Sequence, residues 1–243
     1  MEQVTPSEQD GRPLIELRRL EKSYTIPSGK APALRGVDLS IAVGEFVAVA
    51  GKSGAGKSTL VNMITGIDRP DGGEIIVAGD AVHTMGEDER ARWRGQKLGV
   101  VFQFFQLLPS ISLLQNVVIP MEFIGRYTPG ERRERAQHLL EMVGLAGHTH
   151  KRPAEISGGQ QQRVAIARAL ANDPPVIVAD EPTGNLDSRT SAEILDLFAG
   201  LVEQGKTLLV VTHDKGVAAR ASRKVEIADG KIIGEKVFES HAA

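Results

Sequence analysis

Nine consecutive residues form a stretch whose composition and spacing suit phosphate binding. Gly51-Lys52-Ser53-Gly54-Ala55-Gly56-Lys57-Ser58-Thr59 fits the pattern G-x-x-x-x-G-K-[ST] without a mismatch. The glycines allow the backbone to curl so that successive N–H groups point at one phosphate. A helix that starts here adds the partial positive charge of its N-terminus. We therefore predict that Lys57 reaches the β- and γ-phosphates of a bound nucleotide and that the Ser58 hydroxyl binds Mg²⁺.

A second stretch places two carboxylates at the end of an apolar run. Val176 to Ala179 reads as a buried strand, and Asp180 and Glu181 follow it. Ligands bind at the C-terminal edge of parallel sheets, where such a strand delivers its last side chains. We predict that Asp180 holds Mg²⁺ through a water and that Glu181 polarises or deprotonates the attacking water. The alternative is that the two acids simply begin a surface turn.

A third stretch, Ser157-Gly158-Gly159-Gln160, offers a hydroxyl and two glycine amides at the start of a helix. These groups make a second anion-binding nest. One chain with one phosphate loop does not obviously need two nests. Two copies that meet head to tail would use both, because the nest of one copy closes over the γ-phosphate held by the other. The alternative is an ordinary capped helix with a glycine turn.

Regular elements must position these stretches. The apolar run Phe46–Ala50 precedes the phosphate loop and reads as a buried parallel strand, and Ser58–Gly66 reads as the following helix. Alternation over Leu14–Leu20 and Val37–Val43 predicts antiparallel strands near the N-terminus. Around Glu131–Val143 the apolar residues recur at helical spacing instead of alternating as in a strand, which predicts a helix there.

The predicted fold class is therefore α/β. It has a phosphate-loop core with a mostly parallel sheet, an N-terminal antiparallel β subdomain and a helical insertion at about residues 104–165. All three parts lie in one domain of residues 14–237, and residues 1–13 and 238–243 form loose tails.

Composition limits the class of protein. The chain has 243 residues and no cysteine, so disulfide and thiolate chemistry are excluded. Its 29 basic and 31 acidic residues give a net charge of −2, so no basic field argues for nucleic acid. The N-terminal residues lack the apolar core of a signal peptide. The most apolar stretch, residues 107–124, is interrupted by polar residues and prolines and is too broken to span a bilayer. If the protein works at a membrane, another chain must supply the spanning part.

The order of these motifs resembles the ATP-binding-cassette ATPases, over roughly Leu14 to Gly234. The resemblance implies that Gln103 senses Mg²⁺ and the water, that Gly184-Asn185-Leu186-Asp187 lines a dimer interface and that His213 contacts the γ-phosphate. Tyr24 matches the aromatic residue that stacks on adenine, although a tyrosine at this place can equally be a packing or surface residue. Lys52 departs from the usual proline or uncharged residue. It either strengthens nucleotide binding or points to solvent.

Finer details are similar to one subfamily, the ATPases of lipoprotein-release, macrolide-export and cell-division transporters. Phe102–Pro109 and Glu181–Ser188 carry this likeness. It implies a partner permease with few spanning helices and a large extracytoplasmic domain, and a position on the cytoplasmic face of the inner membrane. Phe104, Phe105, Leu107 and Leu108 would then receive a cytoplasmic helix of the permease. Alternatively, these four side chains form the core of the helical insertion.

The sequence thus predicts an ATP-hydrolysing subunit that forms a homodimer around two ATP molecules and drives a membrane permease. Nucleic acid is not an expected partner. The alternative is a soluble cassette protein that acts on nucleic acid or translation. The catalytic residues are predicted to be Lys57, Gln103, Glu181 and His213, and the Mg²⁺ ligands to be Ser58, Gln103 and Asp180. The nucleotide is predicted to contact Tyr24, Gly51, Lys52, Ser53, Gly54, Ala55, Gly56, Lys57, Ser58, Thr59, Ser157, Gly158, Gly159, Gln160 and Asp187.

Overall fold

The computed structural model describes residues 13–27 and 29–238. The predicted tails therefore lie outside the described residues, apart from Pro13 and Phe238. In chain order the strands are β1 (Ile15–Ile26), β2 (Gly29–Ile41), β3 (Phe46–Ala50), β4 (Gly72–Val77), β5 (Asp80–Ala81), β6 (Leu98–Val101), β7 (Val176–Asp180), β8 (Thr207–Thr212), β9 (Arg223–Ala228) and β10 (Lys231–Val237). The α-helices are α1 (Lys57–Ile64), α2 (Glu87–Lys97), α3 (Leu113–Ile124), α4 (Pro129–Met142), α5 (Gly158–Ala169), α6 (Ser188–Glu203) and α7 (Lys215–Arg220).

Within the described residues, the larger sheet has six strands in the order β10-β9-β3-β8-β7-β6. The pairs β9–β3, β3–β8, β8–β7 and β7–β6 are parallel, and only β10 runs antiparallel to its neighbour. Strand β8 is buried along its whole length, as expected for a strand covered on both faces. The parallel strands β3, β6, β7 and β8 all end at one edge, so the segments that follow them meet there.

The smaller sheet has four antiparallel strands in the order β2-β1-β4-β5 within the described part of the chain. The sequence predicts its first two strands, but β1 continues past Leu20 to Ile26 and so includes Tyr24. Strands β4 and β5 follow α1 in the chain, so this antiparallel sheet is only partly N-terminal. Its apolar faces share a core with α1 and one side of the larger sheet.

A second core fills the other side of the larger sheet. Helices α3, α4 and α5 pack on one another there and extend the core away from the sheet. All three begin with a capping box: Ser112 and Gln115 cap α3, and Thr128 and Glu131 cap α4. Ser157 caps α5 in the same way. The side-chain caps define where each helix starts, so the polar start of α5 is held in one place relative to the sheet.

Candidate active site

The segment between β3 and α1 has the backbone that the glycine pattern predicts. Gly54 and Gly56 have φ angles of 79° and 104°, a region that favours glycine. A Cβ atom on Gly51 would lie 2.4 Å from the Ile227 carbonyl oxygen, and one on Gly56 would lie 2.6 Å from the Ala33 carbonyl oxygen. Close backbone packing therefore requires glycine at positions 51 and 56, and the left-handed backbone favours glycine at positions 54 and 56.

Lys57, the first residue of α1, is largely buried with 8% of its surface exposed. Its Nζ atom donates hydrogen bonds to the carbonyl oxygens of Gly51 at 2.9 Å and Lys52 at 3.2 Å. It also lies 3.8 Å from Glu181 Oε1. The ammonium group is thus held inside the curl of the loop and next to the carboxylate that follows β7.

Glu181 is the most constrained carboxylate at this edge. Its backbone is left-handed with φ 46°, and its N–H donates to the Val211 carbonyl oxygen at 2.9 Å. The Thr212 hydroxyl and the His213 backbone N–H donate to Oε2 at 3.1 and 3.2 Å. The His213 ring places Nδ1 2.9 Å from Oε1. The end of strand β8 therefore orients the carboxylate on one side, and the carboxylate faces Lys57 on the other. A carboxylate held in this way can accept a proton from a water.

Asp180 has the environment of a cation ligand. Burial raises the pKa of this carboxyl, a hydrogen bond from the Ser58 hydroxyl opposes the shift, and the charge of Glu181 adds to it. Its Oδ1 atom is buried and has no hydrogen-bond partner among residues 13–27 and 29–238. A buried carboxylate oxygen without a partner is costly, and a divalent cation beside it would remove that cost. Ser58 and Asp180 therefore fit a bound Mg²⁺.

A cavity of about 620 Å³ joins the phosphate loop to Gln103, Glu181 and His213, whereas Asp180 is not among the described residues that line it. Among the described residues, Gly51 and Ala55 do not line the cavity either. Ala55 is buried and lies near Gly51. A neighbouring cleft of about 780 Å³ shares Glu181 and His213 with the cavity. The lining of the cavity consists of Tyr24, Ala33, Lys52, Ser53, Gly54, Gly56, Lys57, Ser58, Thr59, Gln103, Glu181 and His213.

Gln103 follows β6 and is connected to the segment after Glu181. Asn185 donates from Nδ2 to the Gln103 carbonyl oxygen at 3.0 Å. A Cβ atom on Gly184 would lie 2.9 Å from Gln103 Nε2, so this glycine leaves room for the glutamine side chain. Gln103 and the Gly184–Asp187 segment therefore form one packed unit at the edge of the cavity.

Two residues after Gln103, the backbone is held by an arginine. Phe105 and Gln106 both have positive φ angles, 57° and 54°. The Arg168 guanidinium on α5 donates to the carbonyl oxygens of both residues, at 2.7 Å for Phe105. Burial lowers the pKa of Arg168, although a guanidinium stays charged in proteins. Helix α5 is thus attached to the segment that starts at Gln103.

Ser157, Gly158, Gly159 and Gln160 are brought together at the start of α5, but none lines the cavity in the described structure. Ser157 Oγ accepts from the Gln160 N–H at 3.3 Å, and Gln160 Oε1 accepts from the Ser157 N–H at 3.0 Å. A Cβ on Gly159 would lie 2.4 Å from Thr190 Cγ2. The two predicted anion-binding nests of one chain therefore occupy separate places.

Asp187 is also outside the lining, where it caps α6. Its carboxylate accepts from the Thr190 N–H at 3.0 Å and from the Thr190 hydroxyl at 2.7 Å. The hydrogen bond from the hydroxyl has the larger effect, and together the two hydrogen bonds lower the pKa of Asp187.

The four apolar residues after Gln103 divide into two kinds. Phe104 and Leu108 are 69% and 47% exposed. Phe105 is half-buried, and Leu107 packs against the core beside α3. Phe123, on α3, is 83% exposed and was not singled out from the sequence.

Several residues that shape the site were missed by sequence reasoning. Thr212 and Arg168 orient Glu181 and the Gln103 segment through contacts between residues distant in the chain, for which the sequence carries no local signal. Lys22 is different, because it lies two residues before Tyr24 and so on the same face of a strand. That spacing could have marked it as a neighbour of the tyrosine.

Comparison with known proteins identifies the family and the fold. The model of the family described as ABC transporter matches residues 34–184. The chain therefore belongs to the ABC transporter family, and the predicted fold class, that of an ATP-binding-cassette ATPase, is confirmed. The predicted family resemblance is confirmed with it.

The relatives fall into two groups, one about as long as this chain and one about three times as long. An uncharacterized ABC transporter ATP-binding protein of Thermotoga maritima is 49% identical over 221 residues, which are 91% of this chain and 94% of that protein. The pyoverdine export ATP-binding/permease protein PvdT of Pseudomonas syringae pv. syringae is 50% identical over 92% of this chain and 34% of its own length. The macrolide export ATP-binding/permease protein MacB of Nitrosomonas europaea is 48% identical over 93% and 34%. The chain thus spans about a third of the length of PvdT and MacB.

Solved structures match over nearly the whole fold. The ATP-binding cassette MJ0796, described as a dimeric post-hydrolysis state bound to ADP and Pi, superposes with a TM-score of 0.87. It is 42% identical to this chain, and the match covers 93% of this chain and 99% of MJ0796. A second structure, described as the dimeric structure of MJ0796, a bacterial ABC transporter cassette, also has a TM-score of 0.87, at 43% identity. The alternative of a protein acting on nucleic acid or translation receives no support from these relatives.

Proposed function

We propose that the chain hydrolyses ATP as a homodimer around two ATP molecules and drives a membrane permease in an export or related envelope process. The observation that carries the proposal is the position of Glu181. Its carboxylate is oriented by Thr212 and His213 and lies beside Lys57, in the cavity that the phosphate loop lines. Such a carboxylate suits activation of a water that attacks a phosphoryl group.

The loop amides and Lys57 bind the β- and γ-phosphates, because together they supply donors and a positive charge around one concavity. Ser58, Gln103 and Asp180 hold Mg²⁺, which when bound neutralises the charge on the phosphate oxygens. Tyr24 lines the same cavity, with 38% of its surface exposed, and stacks on the adenine. Lys52 is exposed beside the loop and adds a positive charge at the mouth of the cavity.

In the hydrolytic step, a water attacks the γ-phosphorus and transfers a proton to Glu181. The bond between the γ-phosphorus and the bridging oxygen breaks, so ADP and inorganic phosphate result. His213 keeps Glu181 aligned through its ring and its backbone N–H and contacts the γ-phosphate. Gln103 lines the same cavity, next to the segment that follows Glu181, and positions the water.

Two copies complete each site. The nest of Ser157, Gly158, Gly159 and Gln160 stands outside the cavity of its own chain, and Ser157 at its start is exposed, which supports its use by a second copy. Asp187 lies in the segment that packs on Gln103, so it belongs to the same dimer face. The dimeric state described for MJ0796 is a precedent for this arrangement.

Phe104 and Leu108 form the exposed part of the predicted docking patch, and Phe123 extends the exposed apolar surface of the helical region. Phe105 is half-buried and Leu107 packs against the core, so these two residues form the less exposed part of the patch. The names of PvdT and MacB combine ATP-binding and permease, which supports a permease of that kind as the partner. None of the helices in residues 13–27 and 29–238 has both the length and the apolar character to span a bilayer. The proposed location is the cytoplasmic face of the inner membrane.

The Glu181→Gln variant tests the enzymatic part of this proposal. It keeps the shape of the side chain but cannot take up the proton, so we expect ATP turnover to fall by about 10²-fold or more while ATP binding persists. With ATP and Mg²⁺ the variant should elute as a dimer in size-exclusion chromatography with light scattering. Glu181→Gln combined with Lys57→Ala is the matched control and should stay monomeric. Turnover at the parent rate in Glu181→Gln would count decisively against the role of this carboxylate.

The partner is tested with tagged Glu181→Gln protein, ATP and detergent-solubilised membranes of the native cells. Mass spectrometry should identify a permease, and the added pair Phe104→Ser and Leu108→Ser should lose it. Retention of the same permease by this variant would place docking elsewhere on the chain. Capture of ribosomes or nucleic acid instead would reject the transporter assignment.

A further inference from the structure

Lys22, Tyr24 and Asp68 form a closed cycle beside the cavity. Lys22 Nζ donates to Asp68 Oδ1 at 2.9 Å, and the Tyr24 hydroxyl donates to Asp68 Oδ2 at 3.2 Å. Lys22 Nζ also lies over the Tyr24 ring, 5.3 Å from its centroid, within range of a cation–π contact. Each of the three side chains therefore contacts the other two.

The cycle is anchored at its charged end. Lys22 has only 11% of its side chain exposed and donates a second hydrogen bond to the Arg69 carbonyl oxygen at 2.6 Å. The Asp68 carboxylate also accepts from the Arg69 N–H at 2.7 Å. Burial opposes ionisation of Asp68, but the hydrogen bonds from Lys22 and Arg69 outweigh it, and the pKa of the carboxyl is lowered. Both carboxylate oxygens are therefore occupied.

The anchor connects two different parts of the fold. Lys22 and Tyr24 lie on β1 of the antiparallel sheet, on the same face because they are two residues apart. Asp68 and Arg69 follow α1, the helix whose first residue is Lys57. The cycle thus links the tyrosine at one end of the cavity to the far end of the helix that carries the phosphate loop.

We propose that Lys22 and Asp68 are positioning residues that hold the Tyr24 ring at a set distance from the phosphate loop and so determine the affinity for the nucleoside part of the nucleotide. The inference rests on the proposed function, because it requires that Tyr24 contacts the base. A partly exposed tyrosine on a strand has rotamer freedom that it must lose when a base stacks on it. The ion pair removes that freedom beforehand, so less free energy is lost on binding.

The position of the cycle separates its effect from phosphate binding. Among the described residues, no hydrogen bond or ion pair joins the loop or Lys57 to Lys22 or Asp68. The cycle should therefore affect ligands that carry a base and spare ligands that consist of phosphate alone. A purely structural ion pair would instead change stability, and with it the binding of both kinds of ligand.

The experiment measures dissociation constants of the full chain for ADP and for inorganic pyrophosphate by calorimetric titration, since neither ligand is hydrolysed by the site. In Lys22→Met and in Asp68→Asn we expect the dissociation constant for ADP to rise about three- to tenfold, with the pyrophosphate constant unchanged. We expect the same result in Tyr24→Ala. In the Tyr24→Ala background, Lys22→Met should add nothing. Lys22→Met combined with Asp68→Asn leaves no buried unpaired charge and serves if either single variant folds poorly.

Glu74→Gln is the matched control, because it removes an ion pair with Arg18 across β1 and β4 of the same sheet at 3.1 Å. It should bind both ligands as the parent does. Parent-like ADP affinity in the Lys22 and Asp68 variants, or equal weakening of ADP and pyrophosphate, overturns the positioning role. Parent-like ADP affinity in Tyr24→Ala overturns base stacking itself, which is the failure of the proposed function at this subsite.

Discussion

His213 and Glu181 are paired side by side at the edge of the parallel sheet, with the ring Nδ1 2.9 Å from Oε1. The His213 side chain is 67% exposed, whereas that of Glu181 is only 13% exposed. The histidine therefore contributes little to the core, although it contacts the carboxylate that the proposed mechanism depends on. Its replacement should affect chemistry far more than folding.

For His213→Ala we expect kcat for ATP to fall about 100-fold, because Glu181 loses a partner that aligns it. The dissociation constant for ATP should stay within about threefold, since the phosphate loop holds the phosphates. Steady-state kinetics and equilibrium binding check both values. The exposed His150 offers the control His150→Ala, which should match the parent. Undiminished turnover in His213→Ala would contradict the pairing as a functional contact.

Gly159→Ala should destabilise the protein, because the added Cβ would lie 2.4 Å from Thr190 Cγ2. An overpacked contact of this kind costs about 1 to 3 kcal/mol of unfolding free energy. Thr190→Ser removes Cγ2 but keeps the hydroxyl that bonds Asp187, so the double variant should recover most of the loss. Thermal unfolding gives the measurement.

Gly158→Ala is the matched control, since its nearest neighbour would be Phe105 Cζ at an ordinary 3.7 Å. It should unfold at or above the temperature of the parent. If Gly159→Ala were as stable as Gly158→Ala, the prediction would be wrong, because α5 and α6 could then accommodate the added methyl group without loss of stability.

Arg168→Met should weaken the segment after Gln103. The substitution removes the donors to the Phe105 and Gln106 carbonyl oxygens, and both residues have positive φ angles, which cost free energy in residues other than glycine. We expect the free energy of unfolding to fall by about 2 kcal/mol and proteolysis between residues 102 and 107 to accelerate. Arg168→Lys should recover only part of the loss, because a lysine has no planar fork of donors.

Denaturant unfolding and limited proteolysis followed by mass spectrometry measure these effects. Arg133→Met, on the exposed face of α4, is the control and should leave both unchanged. Parent-like protease resistance in Arg168→Met would mean that the segment maintains its backbone without the arginine.

Asp173 should make stability depend on pH in the acid range. The hydrogen bond from Lys206, at 2.7 Å, lowers the pKa of this carboxyl below its unfolded value. A lowered folded pKa means that the contribution is complete above the unfolded pKa of about 3.9 and is lost as the pH falls through the folded pKa. The Asp173 side chain is 56% exposed, so solvent screens the ion pair and its contribution to stability should be about 0.5 kcal/mol.

Unfolding free energies at neutral pH and at successively lower pH, for the parent and for Asp173→Asn, give the measurement. The difference between them should shrink as the pH falls. In the Lys206→Met background it should be small at every pH. A difference that grows on acidification would have the wrong sign for this ion pair.

Much of the fold was predictable because its signals are local. The strand, glycine loop and helix around Lys57 are adjacent in the chain, and the apolar runs that become β7 and β8 lie between clear breaks. The caps of α4 and α5 are also local, since a capping box spans four residues. The return of the chain to the antiparallel sheet in β4 and β5 was not predictable, because pairing partners of a strand are chosen by tertiary packing.

The sequence by itself determined which residues can do the chemistry: the loop of residues 51–59, the carboxylates 180 and 181, Gln103 and His213. Only the tertiary structure decided how they are held. Thr212 and Glu181 are 31 residues apart, Arg168 and Phe105 63, and Asp68 and Tyr24 44. No periodicity in the chain encodes such contacts, since they arise when separate strands and helices pack at one edge of the sheet. The same packing places Ser157 and the three residues after it outside the cavity of their own chain in the described structure, which is why the proposed function assigns them to the site of a second copy.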